Sequence, residues 1–289
     1  MRIGIIGNGF VGKATKILEC DKIQLMVYDI IPELCFPIGT TLRDICKCDL
    51  IFISVPTPMN KNGSCYLKIL ESVINDISTL TDLNESLVII RSTVPPGTSK
   101  KLNCYFMPEF LTEKNFVQDF KNCENWIFGI KGTAQDNKFK KNIELLINSS
   151  YDYGCIHYNN IHFIKSDEAE MIKLFRNNYL SIKVAFCNEI AQFCNMKGID
   201  YEKVRNLAVN DKRIGSSHSY VPGPDGKKGF GGTCFPKDTA SLRYEMESSG
   251  MKSYIINAAI NRNEQVDRPE KDWNMNKGRA VVDNNNKYD

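Results

Sequence analysis

The sequence predicts an α/β protein, a doubly wound parallel sheet followed by a long central helix and a helical domain. Three observations predict it. Short apolar runs alternate with helical stretches through the first half, a glycine-rich turn follows the first run directly, and no Gly or Pro interrupts the chain from Ser166 until Gly198. Strand–helix alternation of this kind specifies a sheet covered on both faces. The expected domains are residues 1–165, 166–262 and a polar tail at 263–289.

The strands are Arg2–Ile6, Ile23–Tyr28, Leu50–Val55, Leu87–Arg91 and Trp126–Ile130, near-continuous apolar runs of the kind that parallel strands show when buried on both sides. Between them Phe10–Leu18, Leu42–Cys46 and Tyr66–Leu80 read as helices. In the last of these Leu67, Leu70, Ile74 and Ile77 recur at helical spacing. Asp136–Asn148 reads as a surface helix. Ser166 is a plausible N-cap for the long helix, and Asp167, Glu168 and Glu170 suit its positive end. Asp200 is expected to cap a helix over Tyr201–Val209. A Gly/Pro-rich loop follows from Gly215 to Gly232, another helix after Asp238, and a tail whose last dozen residues are expected to be loose.

The chain of 289 residues is comfortable for two packed units. Its 42% hydrophobic and 25% charged content is that of a soluble globular protein. A net charge of +3 without a basic block argues against nucleic acid as a partner. No run approaches the ~20 apolar residues of a membrane span. The start, Met1–Gly7, is a strand entering a turn rather than a signal peptide, so the expectation is a cytoplasmic protein with no membrane partner. The 11 cysteines include no Cys-x-x-Cys pair, and His157, His162 and His218 read as incidental, so no metal is expected.

Gly7-Asn8-Gly9-Phe10-Val11-Gly12 has the spacing of a Rossmann-type dinucleotide turn, in which glycines permit the tight turn, close approach of the pyrophosphate and helix–strand packing. Asp29 ends the second strand, where a carboxylate binds both ribose hydroxyls of NAD and repels the 2′-phosphate of NADP. NAD is the expected cofactor. Val55-Pro56-Thr57-Pro58 and Ser92-Thr93-Val94-Pro95-Pro96-Gly97 follow later strands, at the carboxyl ends where such sheets bind ligands.

The most informative stretch is Gly229-Phe230-Gly231-Gly232-Thr233-Cys234-Phe235-Pro236-Lys237-Asp238. Its glycines let a substrate approach the main chain, and Lys237 and a nearby helix start would favour a thiolate. On chemistry alone Cys234 is either a reactive thiol or a buried inert one.

This segment resembles the catalytic loop of the UDP-glucose/GDP-mannose dehydrogenase family. The resemblance takes in Gly7–Gly12, Val55–Pro58, Ser92–Pro95, Pro108–Glu113, Glu168–Asn177, Asp211–Gly215 and the cysteine loop, in the family's order, and covers roughly residues 1 to 265. Phe235 after the cysteine is more like the UDP-glucose branch. The resemblance implies two successive oxidations that take UDP-glucose, or a related nucleotide sugar, from C6 alcohol to carboxylate. It implies a covalent catalyst at Cys234, Lys173 and Asn177 holding the reacting oxygen, and Asp238 as a water-linked base. It makes Glu109 the carboxylate that activates water on a thioester, with Thr93 placing that water. Lys173 and Asn177 are one helical turn apart on a shared face.

Gly7, Gly9, Phe10, Val11, Gly12, Asp29, Val55, Pro56, Thr57, Ser92, Thr93 and Lys237 would hold the cofactor. Glu109, Phe110, Leu111, Glu113, Lys173, Asn177, Arg213 and Gly231 would face the substrate. Arg213 matches an arginine that reaches a neighbouring subunit's sugar nucleotide, which implies a homodimer or higher homo-oligomer. Tyr220 and the insert Val221–Lys228 are assigned no role.

Most members carry a second nucleotide-fold domain that grips the UDP. Beyond Cys234 this chain offers a helix at Thr239–Ser249, Ile255–Ile260 and a charged tail, so the expectation is a short form without that domain. The rival readings are a single-step hydroxyacid-type dehydrogenase, which has no use for Cys234, and a catalytically silent nucleotide-binding protein. Which UDP-hexose fits the site is set by pocket shape.

Overall fold

The computed structural model describes residues 1–283. They form two compact units, the first built from residues 1–57 and 67–173, the second from residues 58–66 and 174–283.

The first unit holds a seven-stranded sheet. In chain order it runs β1 (Arg2–Ile6), α1 (Phe10–Thr15), β2 (Gln24–Tyr28), α2 (Leu42–Ile45), β3 (Leu50–Ile53), α3 (Lys68–Ser78), β4 (Val88–Ile90), α4 (Thr98–Lys101) and β5 (Tyr105–Phe106). Then come α5 (Phe116–Lys121), β6 (Asn125–Ile130), α6 (Asp136–Asp152), β7 (Asn160–Lys165) and the start of α7 (Ser166–Lys197). The strand order is β2-β1-β3-β4-β5-β6-β7. Pairing is parallel except between β5 and β6, where Phe106 faces Gly129. The doubly wound sheet is as expected, but two of its strands were not foreseen. Two-residue β5 has no period to read, and β7 alternates between exposed and half-buried positions rather than being apolar throughout.

Successive strand residues point to opposite faces, and the core follows that rule. Ile3, Ile5, Val27, Phe52, Ile89 and Phe128 bury against one layer, and Ile6, Ile51, Ile53, Val88, Ile90 and Phe106 against the other. On the second face Leu70, Ile74 and Ile77 of α3 pack as their spacing predicts. Each such side chain contributes about 1.5–3 kcal/mol by leaving water.

The second unit is helical, with the rest of α7, α8 (Tyr201–Ala208), α9 (Phe235–Ser248), α10 (Ile255–Arg262) and a π-helical turn over Asn263–Asp267. The Asp200 carboxylate accepts from the Lys203 N–H at 3.2 Å and caps α8, as expected. Two local expectations are corrected. Ser166 is the first helical residue of α7 rather than its cap, because its hydroxyl donates to the Ile130 carbonyl. Helix α9 starts at Phe235, before Asp238, since Pro236 tolerates a first-turn position where no N–H is needed.

The tail up to residue 283 is also placed. Trp273 and Ala280 are buried, Met59 N–H donates to Ala280 O at 2.9 Å, and Val282 N–H to Met59 O at 3.1 Å. The part of the loose-tail expectation that concerns residues 284–289 lies outside the described residues. No described helix is long and apolar enough to cross a membrane.

Candidate active site

In the first unit, Gly7 turns the chain out of β1 with φ +91°, and a Cβ there would stand 2.6 Å from the Ser54 carbonyl oxygen. A Cβ on Gly12 would collide with the Gly7 carbonyl, whereas nothing lies within 4 Å of one on Gly9. The turn is therefore closed beneath Gly7 and Gly12 and open above Gly9, which heads α1 as its N-cap, followed by Phe10 and Val11. The Asp29 carboxylate accepts from Asn8 N–H at 2.7 Å and from Ile31 N–H at 3.0 Å. That fixes it beside the turn while leaving lone pairs for two further donors. An open glycine at a helix head with a carboxylate alongside fits the pyrophosphate and ribose of NAD.

The loops after β3 and β4 are tied together. Ser92 Oγ donates to the Val55 carbonyl at 2.6 Å, and Thr57 Oγ1 donates to the Thr93 carbonyl at 2.7 Å, with Pro56 between the two ties. Glu170 secures the far end of the second loop, accepting from Gly97 N–H at 2.6 Å and Ser99 N–H at 2.7 Å. Sequence reasoning had set Glu170 against the positive end of its own helix, but its carboxylate caps α4 instead. Burial raises its pKa, although the Ser99 and Gly97 donors favour the charged form.

Glu109 leaves the sheet two residues after Met107 and is 6% exposed. Its Oε1 lies 2.5 Å from the Lys173 ammonium, itself 3% exposed, and its Oε2 accepts from Leu111 N–H at 2.9 Å. Burial alone would raise this carboxyl. The Lys173 charge and hydrogen bond, the Leu111 donor and the field of Arg91 outweigh it and hold Glu109 below the usual carboxylate range. Glu109 is thus an ionised carboxylate shielded from water, the state a general base requires. Phe110 and Leu111 are half-buried and Glu113 is exposed.

In the second unit, Cys234 occupies the N-cap position of α9 and is partly exposed, as a nucleophile must be. One turn on, buried Asp238 receives Lys237 Nζ on one oxygen and Asn177 Nδ2 on the other, each at 2.6 Å. Burial opposes the Lys237 charge, but Asp238 and the fields of Cys234 and Cys65 raise its pKa above the ordinary lysine value. The structure therefore gathers Cys234, Lys237, Asp238 and Asn177, a thiol, a fixed ammonium, a carboxylate and an amide donor. Arg213 is 89% exposed and forks onto Asp211, with Nη2 2.5 Å from Oδ2. Among the described residues no group of three or more His, Cys, Asp or Glu side chains is arranged to hold a metal.

The cysteine loop has supports that sequence reasoning missed. Asn188 Oδ1 accepts from Gly229 N–H, and Asn263 exchanges two hydrogen bonds with the backbone of Phe230, at 2.8 and 2.9 Å. The Arg268 guanidinium lies against Gly231 and is itself held by Asp225 and Asp272. Asn263 falls inside the resemblance and had an amide as its only signal. Arg268 lies beyond it, in a stretch read as tail. In the first unit, Arg91 was read only as a strand end, yet it is buried and its charge and that of Glu109 act on each other.

Residues 36–144 match the NAD binding domain of the UDP-glucose/GDP-mannose dehydrogenase family, and residues 167–265 match its central domain. The glycine turn lies ahead of the first match. A UDP-glucose 6-dehydrogenase of Rickettsia bellii is 30% identical over 75% of this chain and 49% of its own length. The UDP-glucose 6-dehydrogenase TuaD of Bacillus subtilis is 30% identical over 91% of this chain and 63% of its own. The chain thus spans about half the length of the first of these curated relatives. Among solved structures, a UDP-glucose dehydrogenase from Pyrobaculum islandicum superposes with a TM-score of 0.76 at 24% identity, covering 91% of this chain and 68% of that one, a likeness of fold.

Proposed function

The chain belongs to the UDP-glucose/GDP-mannose dehydrogenase family, and from that premise we propose that it oxidises UDP-glucose to UDP-glucuronate in two NAD-dependent steps through a thioester on Cys234. The observation that carries the reading is the cluster at the head of α9, where Cys234 stands one turn from a buried Asp238 that holds both Lys237 and Asn177. A single-step dehydrogenase has no use for a thiol set in this way.

NAD, held by the Gly7–Gly12 turn, Asp29, the Val55–Thr57 and Ser92–Thr93 loops and Lys237, supplies the hydride acceptor for both oxidations. Asp238, through a water, takes the proton of the C6 hydroxyl as the alcohol becomes an aldehyde. Lys173 and Asn177 donate to the oxygen as negative charge develops there, at roughly 3 kcal/mol per donor. The Cys234 thiolate then adds to the aldehyde carbon, giving a thiohemiacetal whose oxidation leaves a thioester. Glu109 takes a proton from the water that Thr93 places. The water oxygen bonds C6, the C–S bond breaks, and its electron pair returns to the sulfur.

Phe110, Leu111, Glu113 and Gly231 line the sugar in this reading, and Arg213 serves the sugar nucleotide of a neighbouring copy in a homodimer. The enzyme works in the cytoplasm, where Cys234 stays reduced. The test is to count NADH formed per UDP-glucose consumed, for the native chain and for Cys234→Ser. Two NADH per sugar are expected from the first, with full NAD binding and no acid from the second. One NADH per sugar, or undiminished acid from Cys234→Ser, overturns the reading.

A further inference from the structure

Lys173 faces two demands. Its ammonium sits on Glu109 at 2.5 Å, and in the reaction proposed above it must also donate to the sugar oxygen. As it turns toward that oxygen, Glu109 loses its nearest positive charge. A buried carboxylate without a counter-charge takes up a proton, and a neutral acid cannot accept one from water. The base would switch itself off in the step that needs it.

The charge of a second cation, Arg91, also acts on Glu109. Strand β4 ends at Ile90, and Arg91 N–H extends its ladder by donating to the Ile53 carbonyl at 2.8 Å. On the next strand Met107 N–H donates to the Ile90 carbonyl at 2.9 Å, which brings the exit of β5 alongside the exit of β4. Arg91 and Glu109 therefore leave adjacent strands at the same end of the sheet. Arg91 is 2% exposed, and its guanidinium is fixed in place. Nη1 donates to Thr15 Oγ1 at 2.5 Å, that hydroxyl donates in turn to the Val11 carbonyl at 3.0 Å, and the Phe120 ring lies 5.5 Å from Cζ.

The groups acting on Glu109 are Lys173 from α7, Arg91 from the end of β4 and the Leu111 N–H of its own loop, while those acting on Arg91 are Glu109 and the Cys123 thiol. Burial lowers the Arg91 pKa to about 10, and the Glu109 and Cys123 fields oppose that fall. The guanidinium thus stays charged throughout the neutral range. Thr15 belongs to the helix that opens from the glycine turn, so the same hydroxyl anchors this charge to the cofactor-binding helix.

We infer that Arg91 is a positioning residue, the fixed second counter-charge that keeps Glu109 ionised while Lys173 is engaged with the reacting oxygen. The two cations divide the work by their mobility. Lysine sits on a flexible stem and can change partners, whereas a packed, hydrogen-bonded guanidinium cannot. The inference rests on the base role given to Glu109 above, and its test needs neither NAD nor sugar.

The protein is labelled with glutamate carrying 13C at the side-chain carboxyl, and the Glu109 signal is assigned by its loss in Glu109→Gln. The titration is followed in the native chain, in Lys173→Met, and in Lys173→Met combined with Arg91→Gln or Arg91→Lys. Expected is a Glu109 that remains ionised at neutral pH in Lys173→Met. Adding Arg91→Gln should raise its midpoint by about one unit or more, and Arg91→Lys should hold it near the Lys173→Met value. A Glu109 already protonated at neutral pH in Lys173→Met overturns the inference, even if the double variant does not fold. So does a midpoint indifferent to Arg91→Gln. Failure of the dehydrogenase reading would appear separately, as absence of NADH.

Discussion

Adding one methyl group at Gly231 tests how the cysteine loop is held. The Gly231 backbone has no positive φ, so alanine brings no conformational strain there. What it meets is Arg268. A Cβ would stand 2.5 Å from Cζ and 2.7 Å from both Nε and Nη1, against an ordinary separation of about 3.5–4.0 Å. The guanidinium must retreat by about 1 Å, yet Nε is bonded to Asp272 at 2.9 Å, Nη2 to the other Asp272 oxygen at 3.1 Å, and Nη2 also to Asp225. Overpacking against a fixed group costs about 1–3 kcal/mol. Gly231→Ala should therefore destabilise the second unit by that amount. In an Arg268→Ala background the same change should cost less than about 0.5 kcal/mol, because the obstacle is gone.

The two tryptophans provide the assay, since Trp126 is buried in the first unit and Trp273 in the second. Urea unfolding followed by Trp273 fluorescence in a Trp126→Phe background reports the second unit alone. Equal cost of Gly231→Ala with and without Arg268 would refute the reasoning.

Asp29→Ala removes the acceptor of two backbone N–H groups and the partner proposed for the ribose. NAD binding by calorimetry should weaken roughly 10- to 100-fold, and the preference over NADP should shrink. Glu109 also shapes the acid limb of stability. Its folded pKa lies below the ordinary value of 4.5, so the stabilisation is fully present above about pH 4.5 and is lost as pH falls through the folded value. Between pH 5 and pH 3 the native chain should thus lose more stability than Glu109→Gln, read as the change in urea midpoint. Parallel losses would show that the Lys173 pair contributes no such linkage.

Most of the sheet was legible because its central strands are apolar throughout, and α7 because nothing in Ser166–Lys197 breaks a helix. The strands that escaped lack those signals, since Tyr105–Phe106 is too short and Asn160–Lys165 carries polar residues toward solvent. In the site, Cys234, Glu109 and Lys173 stand in recognisable local motifs. Arg91 and Arg268 do not, for their meaning lies in partners distant along the chain. Thr15 and Glu109 give it to Arg91, and Gly231 and Asp225 to Arg268. A buried guanidinium looks in sequence like any surface arginine, because only the fold decides what surrounds it.

Residues 58–66 belong to the second unit although both of their neighbours in the chain belong to the first. On a ribosome, the first unit can finish folding once Lys173 has emerged, with this excursion still waiting for its partners. Met59 must stay uncommitted until Ala280 and Val282 have been synthesised, because the bridge it makes is to residues more than two hundred positions later in the chain. Assembly of the helical unit is therefore a late event, and a nascent chain stalled before that point would carry the Cys234 thiol in a loop not yet closed.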